Sequence, residues 1–465
     1  MKVSVLHISD LHKDNSDNYD NLFQSLKDDC EKYVASGIKK PEVIVISGDL
    51  IKGGTTDEII TQYSNVAYFV NQLVDFFLNG DKTKIIIVPG NHDIDWNESK
   101  QSMQKKADEN RRGNYIELLN VKSSIRWSWK DFCFYEIVDN DRYNNRFELF
   151  SKFYYDFYGD SYSLIPDEQF KIYDIPQLGF TFIGFNSCYQ NDHLNLSGII
   201  KPDCISKASD ELRKFYNQGH LLIGVWHHNT IGLPNENNYM DKRILRSMMD
   251  KHIQVGLHGH HHMCQVTYEY KSVFEEDKLL MISAGTLYGS TKSLPSGTKR
   301  QYNIIEIETD EENAKITIHS REDKSQGEYA IPSWGEGRIC NSSNSSWATK
   351  VKLPKQPSIE ERLDLITKDI EQSQNYDSGV KQLQELDIEN SLVRKFLLEY
   401  LTKTNNYQLI YDYFREPRNS EEKISLLNAV IELNDSSMKK EVLAIDNIKN
   451  DTDSSVKHLI DMIKY

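Results

Sequence analysis

The chain has 465 residues, more than the ~250–300 that one hydrophobic core supports, so two domains are expected, one with a long insertion. Its 38% hydrophobic content, with 26 Tyr and 18 Phe, excludes a disordered chain. A formal net charge of -15 excludes broad, unspecific duplex binding, which needs a Lys/Arg footprint, but leaves open a nucleic acid held at a local site or basic strip.

The six cysteines, Cys30, Cys133, Cys188, Cys204, Cys264 and Cys340, form no Cys-x-x-Cys pair. They read as reduced thiols of a cytoplasmic protein rather than a disulfide framework or thiolate zinc site. Met1–Leu6 runs straight into a strand, without an apolar run of signal-peptide length. No stretch approaches the ~18 apolar residues of a membrane span.

Short Val/Ile-rich runs at Val3–Ser9, Val43–Ser47 and Ile85–Val88 predict strands. Helical patterns lie between them. One is Asn21–Ser36, with Leu22, Leu26, Cys30 and Val34 on one face, and another is Ile59–Phe77. The alternation predicts an α/β domain with strands buried on both faces.

From about 95 to 177 the rhythm breaks into a partly basic stretch (Lys105, Lys106, Arg111, Arg112) and then an aromatic one, Phe147–Tyr162. This middle part reads as an insertion, a cap. Phe150, Phe153, Tyr154 and Phe157 have helical spacing and read as the cap's own core rather than a base-stacking platform.

The α/β pattern returns at Phe180–Asn186, Leu221–His227 and Val255–Gly259. Three further strands follow at Leu279–Ala284, Tyr302–Glu308 and Ala314–His319, the last two joined by the polar turn Thr309-Asp310-Glu311-Glu312. The α/β domain is thus expected over 1–322. Residues 323–357 lack periodicity and read as a linker. Asn341 and Asn344 stand in Asn-x-Ser sequons there and read as plain polar linker residues. Residues 358–465 are helical. Ser391–Leu401, Ile424–Leu433 and Ser454–Ile463 recur about every thirty residues, a pattern shared by a small bundle and a HEAT-like array.

Five short motifs sit at the carboxyl ends of predicted strands. They are Asp10-Leu11-His12, Gly48-Asp49, Gly90-Asn91-His92-Asp93, Trp226-His227-His228 and Gly259-His260-His261-His262. Loops at strand ends converge on one crevice in an open α/β sheet. Asp-x-His and His-x-His pairs point to one side in extended backbone, so both members reach one site. Gly48 and Gly90 are expected to give the sharp turns before the ligating residues. Carboxylate, imidazole and one amide oxygen suit Mn, Fe, Zn or Co, and the number of histidines disfavours Ca. His7, His258 and His261 read as core or outward-facing neighbours, His228 as pointing away from its neighbour, and Asp93 as capping its own turn.

This ordered set resembles the calcineurin-like metallophosphoesterase superfamily, whose members include purple acid phosphatases, phosphoprotein phosphatases, cyclic-nucleotide phosphodiesterases and repair nucleases. The resemblance covers about Met1 to Arg321, apart from the insertion. It implies a sandwich of two mixed sheets flanked by helices, here with an inserted cap and a C-terminal all-α domain. It implies two divalent metal ions, with Mn expected and Fe, Zn or Co as alternatives. Asp10, His12 and His262 would hold one, Asn91, His227 and His260 the other, and Asp49 would bridge them. His92 matches the histidine that contacts phosphate and protonates the leaving oxygen. The implied reaction is attack on phosphorus by a metal-bridging hydroxide.

In the phosphoprotein phosphatases of that family an acid and an arginine follow the second motif. Here the sequence runs Asp49-Leu50-Ile51-Lys52-Gly53-Gly54, and Lys52 in the acid's place favours the diesterase branches. The expected function is therefore a phosphodiesterase or nuclease acting on nucleic acid or nucleotide diesters. The alternatives are a small-nucleotide or phosphomonoester phosphatase, and an effector recruited to a protein partner through the C-terminal helices. No membrane partner is expected.

Overall fold

In the first strand, Val3 and Val5 face one way while Leu6 and Ile8 face the other. That alternation sets the architecture of the protein, a computed structural model describing residues 2–12, 19–106, 123–232, 238–270, 278–289, 294, 297–310, 312–325, 331–340, 342–354 and 358–464. The expected basic residues Arg111 and Arg112, and the sequon residue Asn341, lie outside the described residues. The chain divides into two compact units, Met1–Lys355 and Gln356–Tyr465.

The first unit is a sandwich of two mixed sheets. One contains β1 (Lys2–Ile8), β2 (Val43–Ile46), β3 (Ile85–Ile87), β13 (Gln301–Thr309), β14 (Asn313–Asp323), β15 (Trp334–Glu336) and β16 (Ser346–Lys352). Its order is β15-β14-β13-β1-β2-β3, with β16 also paired to β14. The other contains β7 (Phe170–Ile175), β8 (Phe180–Phe185), β9 (Leu221–Val225), β10 (Val255–His258), β11 (Gln265–Tyr270) and β12 (Lys278–Ser283), in the order β11-β12-β10-β9-β8-β7. The pairs β1/β2, β2/β3, β8/β9, β9/β10 and β10/β12 are parallel, so the loops leaving β1, β2, β3, β9 and β10 emerge at carboxyl strand ends.

Between the sheets lie Val3, Val5, Val43, Val45, Phe182, Ile223, Val255, Ile282, Ile305 and Ile316. The opposite face of the first sheet packs Ile44, Ile46 and Ile87 against the helices Tyr19–Ala35 and Thr56–Leu78. The outer face of the second packs Ile183, Leu222 and Met281 against Pro202–Asn217 and Lys242–Met249. Burial on both faces explains why these strands read as unbroken apolar runs. Helix Thr56–Leu78 starts at a capping box, with Thr55 and Glu58 each holding the other's backbone N–H, and ends on left-handed Asn79.

Four sequence expectations are corrected. In the first helix Leu22, Leu26 and Cys30 are buried, but Tyr33 completes the stripe while Val34 is exposed, because a 3.6-residue period drifts off a strict four-residue spacing. The aromatic helix Glu148–Tyr158 is not a separate cap core. Its Phe150, Phe153, Tyr154 and Phe157 join the core beneath the first sheet, Tyr63 stacking on Phe153. Strand β7 belongs to the second sheet. What stands apart within 95–177 is a small antiparallel sheet of β4 (Met103–Lys105), β5 (Ile125–Ser128) and β6 (Cys133–Ile137), with the helices Trp96–Gln101 and Asn140–Asn145. Finally, 323–357 is no simple linker, since β15 and β16 pair with β14. Trp334 is buried against Tyr302 and donates its indole N–H to Ser25.

The second unit is a succession of helices, including Ile359–Ser373, Tyr376–Gln384, Ser391–Lys403, Tyr407–Tyr413, Ser420–Leu433, Ser436–Ala444 and Ser454–Lys464. Tyr376–Gln384 packs on Ser391–Lys403, Tyr407–Tyr413 on Ser420–Leu433, and Ser420–Leu433 also on Ser454–Lys464. Arg394 and Glu422, both buried, join two of them through a two-pronged ion pair at 3.1 and 3.0 Å. Among the described residues no helix is long and apolar enough to cross a membrane.

Candidate metal centre

Each expected ligand follows directly on a strand of the sandwich, and all eight site residues come together. Asp10 and His12 follow β1, Asp49 follows β2, Asn91 and His92 follow β3, His227 follows β9, and His260 and His262 follow β10.

Two groups of ligand atoms meet. In the first, His262 Nε2 lies 3.2 Å from Asp10 Oδ1 and 3.2 Å from His12 Nε2. In the second, His227 Nε2 lies 3.1 Å from Asn91 Oδ1, and His260 Nδ1 lies 3.0 Å from the same oxygen. Asp49 stands between the groups. Its Oδ2 is 3.6 Å from His12 Nε2 and 3.2 Å from His227 Nε2, while its Oδ1 accepts the His92 backbone N–H at 2.8 Å. One carboxylate oxygen thus faces both groups, as a bridging ligand must.

The donor chemistry fits cations. His227 Nδ1–H donates to the Ser47 carbonyl at 2.8 Å, which leaves a lone pair on Nε2 facing two further acceptors, Asp49 Oδ2 and Asn91 Oδ1. Asp10 Oδ1 is buried and has no hydrogen-bond partner among the described residues. Such an arrangement of acceptors is costly unless positive charge sits among them.

The titration tendencies agree. Burial alone would raise Asp10, yet His262, His12 and His227 outweigh it and hold the carboxyl well below its ordinary range. Asp49 behaves alike, with burial opposed and overcome by His227, His92 and His12. Burial opposes a charged His227, but Asp49 and Asp10 carry it up to about 9, so without a cation its Nε2 holds a proton, and that proton is the positive charge a metal ion would displace. Burial lowers His12, and burial with the nearby His227 lowers His260 to about 3, so both keep the lone pair a ligand needs.

The backbone shows how tightly the site is drawn. Asp10, His12, Asp49, His260 and His262 all have φ between 42° and 69°, a left-handed conformation that non-glycine residues adopt rarely and that concentrates at functional sites. Gly48 turns at φ 96° as expected. Gly90 does not need a left-handed turn. It is required because a Cβ there would lie 2.1 Å from Asp49 Oδ1.

His92 stands beside the first group, its ring perpendicular to that of His12 with centroids 4.6 Å apart. Its Nδ1–H donates to the Lys52 carbonyl at 2.8 Å, which fixes the ring and its tautomer. The segment that departs from the phosphatase pattern therefore orients His92 through its main chain.

The neighbours divide. His7 is buried and bonded to Ser47 Oγ, and His258 stacks on Trp226. His261 is half-buried. His228 is buried behind the site. Its Nδ1 meets Ser187 Oγ at 2.9 Å and its ring leans on His260 at 4.7 Å. Asp93 caps its turn by accepting the Gly90 and Leu50 N–H groups, and burial with the adjacent Asp49 pushes it up to about 7.

Sequence reasoning missed the supporting residues. Ser187 Oγ accepts the N–H groups of both His227 and His228. Thr286 Oγ1 donates to the Asp10 carbonyl at 2.6 Å. Tyr63 reaches Asp93. Their only signal was position just beyond a strand or on a helix face, which many serines, threonines and tyrosines share.

The calcineurin-like phosphoesterase family model matches residues 3–264, more than half of the chain. The chain belongs to this family, whose members use dinuclear divalent metals for phosphoester hydrolysis. None of the curated proteins compared with the chain matches it. Among solved structures it is similar to a dimetal phosphatase from Danio rerio (11% identity, 69% of this chain and 96% of that one, TM-score 0.38). It is also similar to GAP50, described as the anchor in the inner membrane complex of Plasmodium (10%, 77% and 90%, TM-score 0.37), and to the calcineurin-like phosphoesterase YfkN from Bacillus subtilis (12%, 76% and 91%, TM-score 0.26). At these levels the likenesses bear on neither substrate nor partner.

Proposed function

We propose that this protein is a dinuclear-metal phosphodiesterase acting on nucleic acid or nucleotide diesters. The observation that carries the metal centre is Asp49 Oδ2, one oxygen facing His12 on one side and His227 on the other. Asp10, His12 and His262 would hold one cation, Asn91, His227 and His260 the second, with Asp49 shared. Mn is the expected metal, with Fe, Zn or Co as alternatives. Two such cations supply positive charge against phosphoryl oxygens and acidify water.

The chain's own residues do the rest. The Lys52 carbonyl fixes the His92 tautomer, so the proton given to the leaving oxygen travels on Nε2. Asp49 holds the His92 backbone N–H, which ties the acid's position to the cage. Ser47 and Ser187 hold His227 from both sides. The diester reading is supported by Lys52 in place of the phosphatase acid.

The test is turnover in Mn²⁺ of bis-p-nitrophenyl phosphate beside p-nitrophenyl phosphate, single- and double-stranded DNA and cyclic nucleotides, with Asp49→Ala and His92→Ala as controls. Diester cleavage lost in both variants is expected. Cleavage of the monoester alone would replace this reading with that of a phosphatase. No hydrolysis by protein carrying two metals would contradict both.

A further inference from the structure

Beside the metal centre the first unit contains a cleft of about 680 Å³, within the ~300–1,000 Å³ range of small-ligand sites. Its walls come from the small antiparallel sheet (Trp127, Trp129), from the loop after β8 (Gln190, Gly198) and from the segment following His227 (Thr230, Tyr239). Thr230 is three residues past His227, a span of at most about 11 Å of chain. Gly198 packs directly on His228, whose ring touches that of His260. The His228 side chain therefore stands between the cleft and the cage, in contact with both Gly198 and His260.

Its chemistry is aromatic. Trp127 and Trp129 meet edge-to-face at 5.8 Å. Trp129 is 75% exposed and Tyr239 41%, unusual for large aromatic side chains that serve only packing. The Trp127 indole N–H is shielded from solvent yet has no hydrogen-bond partner among the described residues.

The walls are also held still. Arg126 and Asp192 form a buried ion pair at 2.8 Å, and Tyr143 donates to the same carboxylate oxygen at 2.9 Å. Arg146, stacked on Tyr143, donates to the Asn191 carbonyl. The small sheet and the loop that carries Asn191 toward His228 are therefore fixed to one another, as a preformed site requires.

We infer that this cleft binds a nucleobase of the substrate, seated against Trp127, Trp129 and Tyr239, while the adjoining phosphodiester lies at the metal centre. A flat heteroaromatic ring matches exposed aromatic faces such as those of Trp129 and Tyr239. This rests on the phosphodiesterase reading and names the part of the substrate that selects it.

The experiment compares kcat/KM for the p-nitrophenyl ester of thymidine 5′-monophosphate with that for methyl p-nitrophenyl phosphate, a diester without a base. Trp129→Ala is expected to lower the ratio about 5- to 150-fold, the range of one base–aromatic stack. Tyr155→Ala, an exposed aromatic elsewhere, leaves it unchanged. An unchanged ratio in Trp129→Ala, with both esters turned over, overturns the inference while the diesterase reading stands. If neither ester is turned over, that reading fails, and quenching of tryptophan fluorescence decides. Quenching by adenosine monophosphate but not by ribose 5-phosphate, weakened in Trp129→Ala, supports the base site; equal response to both overturns it.

Discussion

Ser187 carries more of the site than its residue type announces. Its oxygen accepts two successive backbone N–H groups, at His227 and His228, and meets the His228 ring. Orienting contacts of this kind typically contribute 10–100-fold in metal affinity. Ser187→Ala is expected to weaken metal binding about 10- to 100-fold, read by competition with a chelating dye, with the thermal unfolding curve nearly unchanged. An unchanged affinity would make Ser187 a mere packing residue. The candidate ligands were legible in the sequence, because carboxylate, amide and imidazole at strand ends announce their chemistry in their identity. Ser187, Thr286 and Tyr63 were not, because their role comes from loops that fold back across the sandwich. Gly90 was legible for the wrong reason, since its backbone is ordinary and the space around Asp49 is what forbids a side chain.

At the scale of elements, strands buried on both faces were plain as Val/Ile runs, whereas edge strands were not. Strand β16 shows the alternation Trp347, Thr349, Val351, but its setting among serines and asparagines hid it. The aromatic helix Glu148–Tyr158 was legible as a helix, yet periodicity says which face is buried and not against what. In the helical unit the Arg394–Glu422 pair makes a distinct prediction. Burial would raise the Glu422 carboxyl, but Arg394 and Arg418 outweigh it and lower it. A depressed carboxylate contributes stability above its unfolded value of about 4.3 and loses it as pH falls through the folded value. Helical-unit stability, followed by circular dichroism, is expected to be flat near neutral pH and to fall below about pH 4.3. Glu422→Gln should flatten that fall and destabilise the unit at pH 7, since Arg394 then keeps only the Glu389 carboxylate, at 3.9 Å. A variant with the same acid sensitivity would show that other carboxylates set it.

For the whole molecule, the first unit closes only with β15 and β16. A chain ending at Arg321 would lose both strands and Trp334, exposing the apolar face of β14 and leaving the Ser25 hydroxyl without its indole donor. It is expected to be aggregated or strongly destabilised. A chain ending at Lys355 retains the full sheet and should keep wild-type turnover. Loss of activity in that longer piece would give the helical unit a part in catalysis.

The central claim is that two cations, shared through Asp49, make this protein a phosphodiesterase. The most direct test is the rate of bis-p-nitrophenyl phosphate hydrolysis by metal-free protein titrated with Mn²⁺. The rate is expected to rise through the second equivalent, level off there, and stay at background throughout in Asp49→Ala. A plateau at one equivalent, or an Asp49→Ala titration matching wild type, would contradict the account.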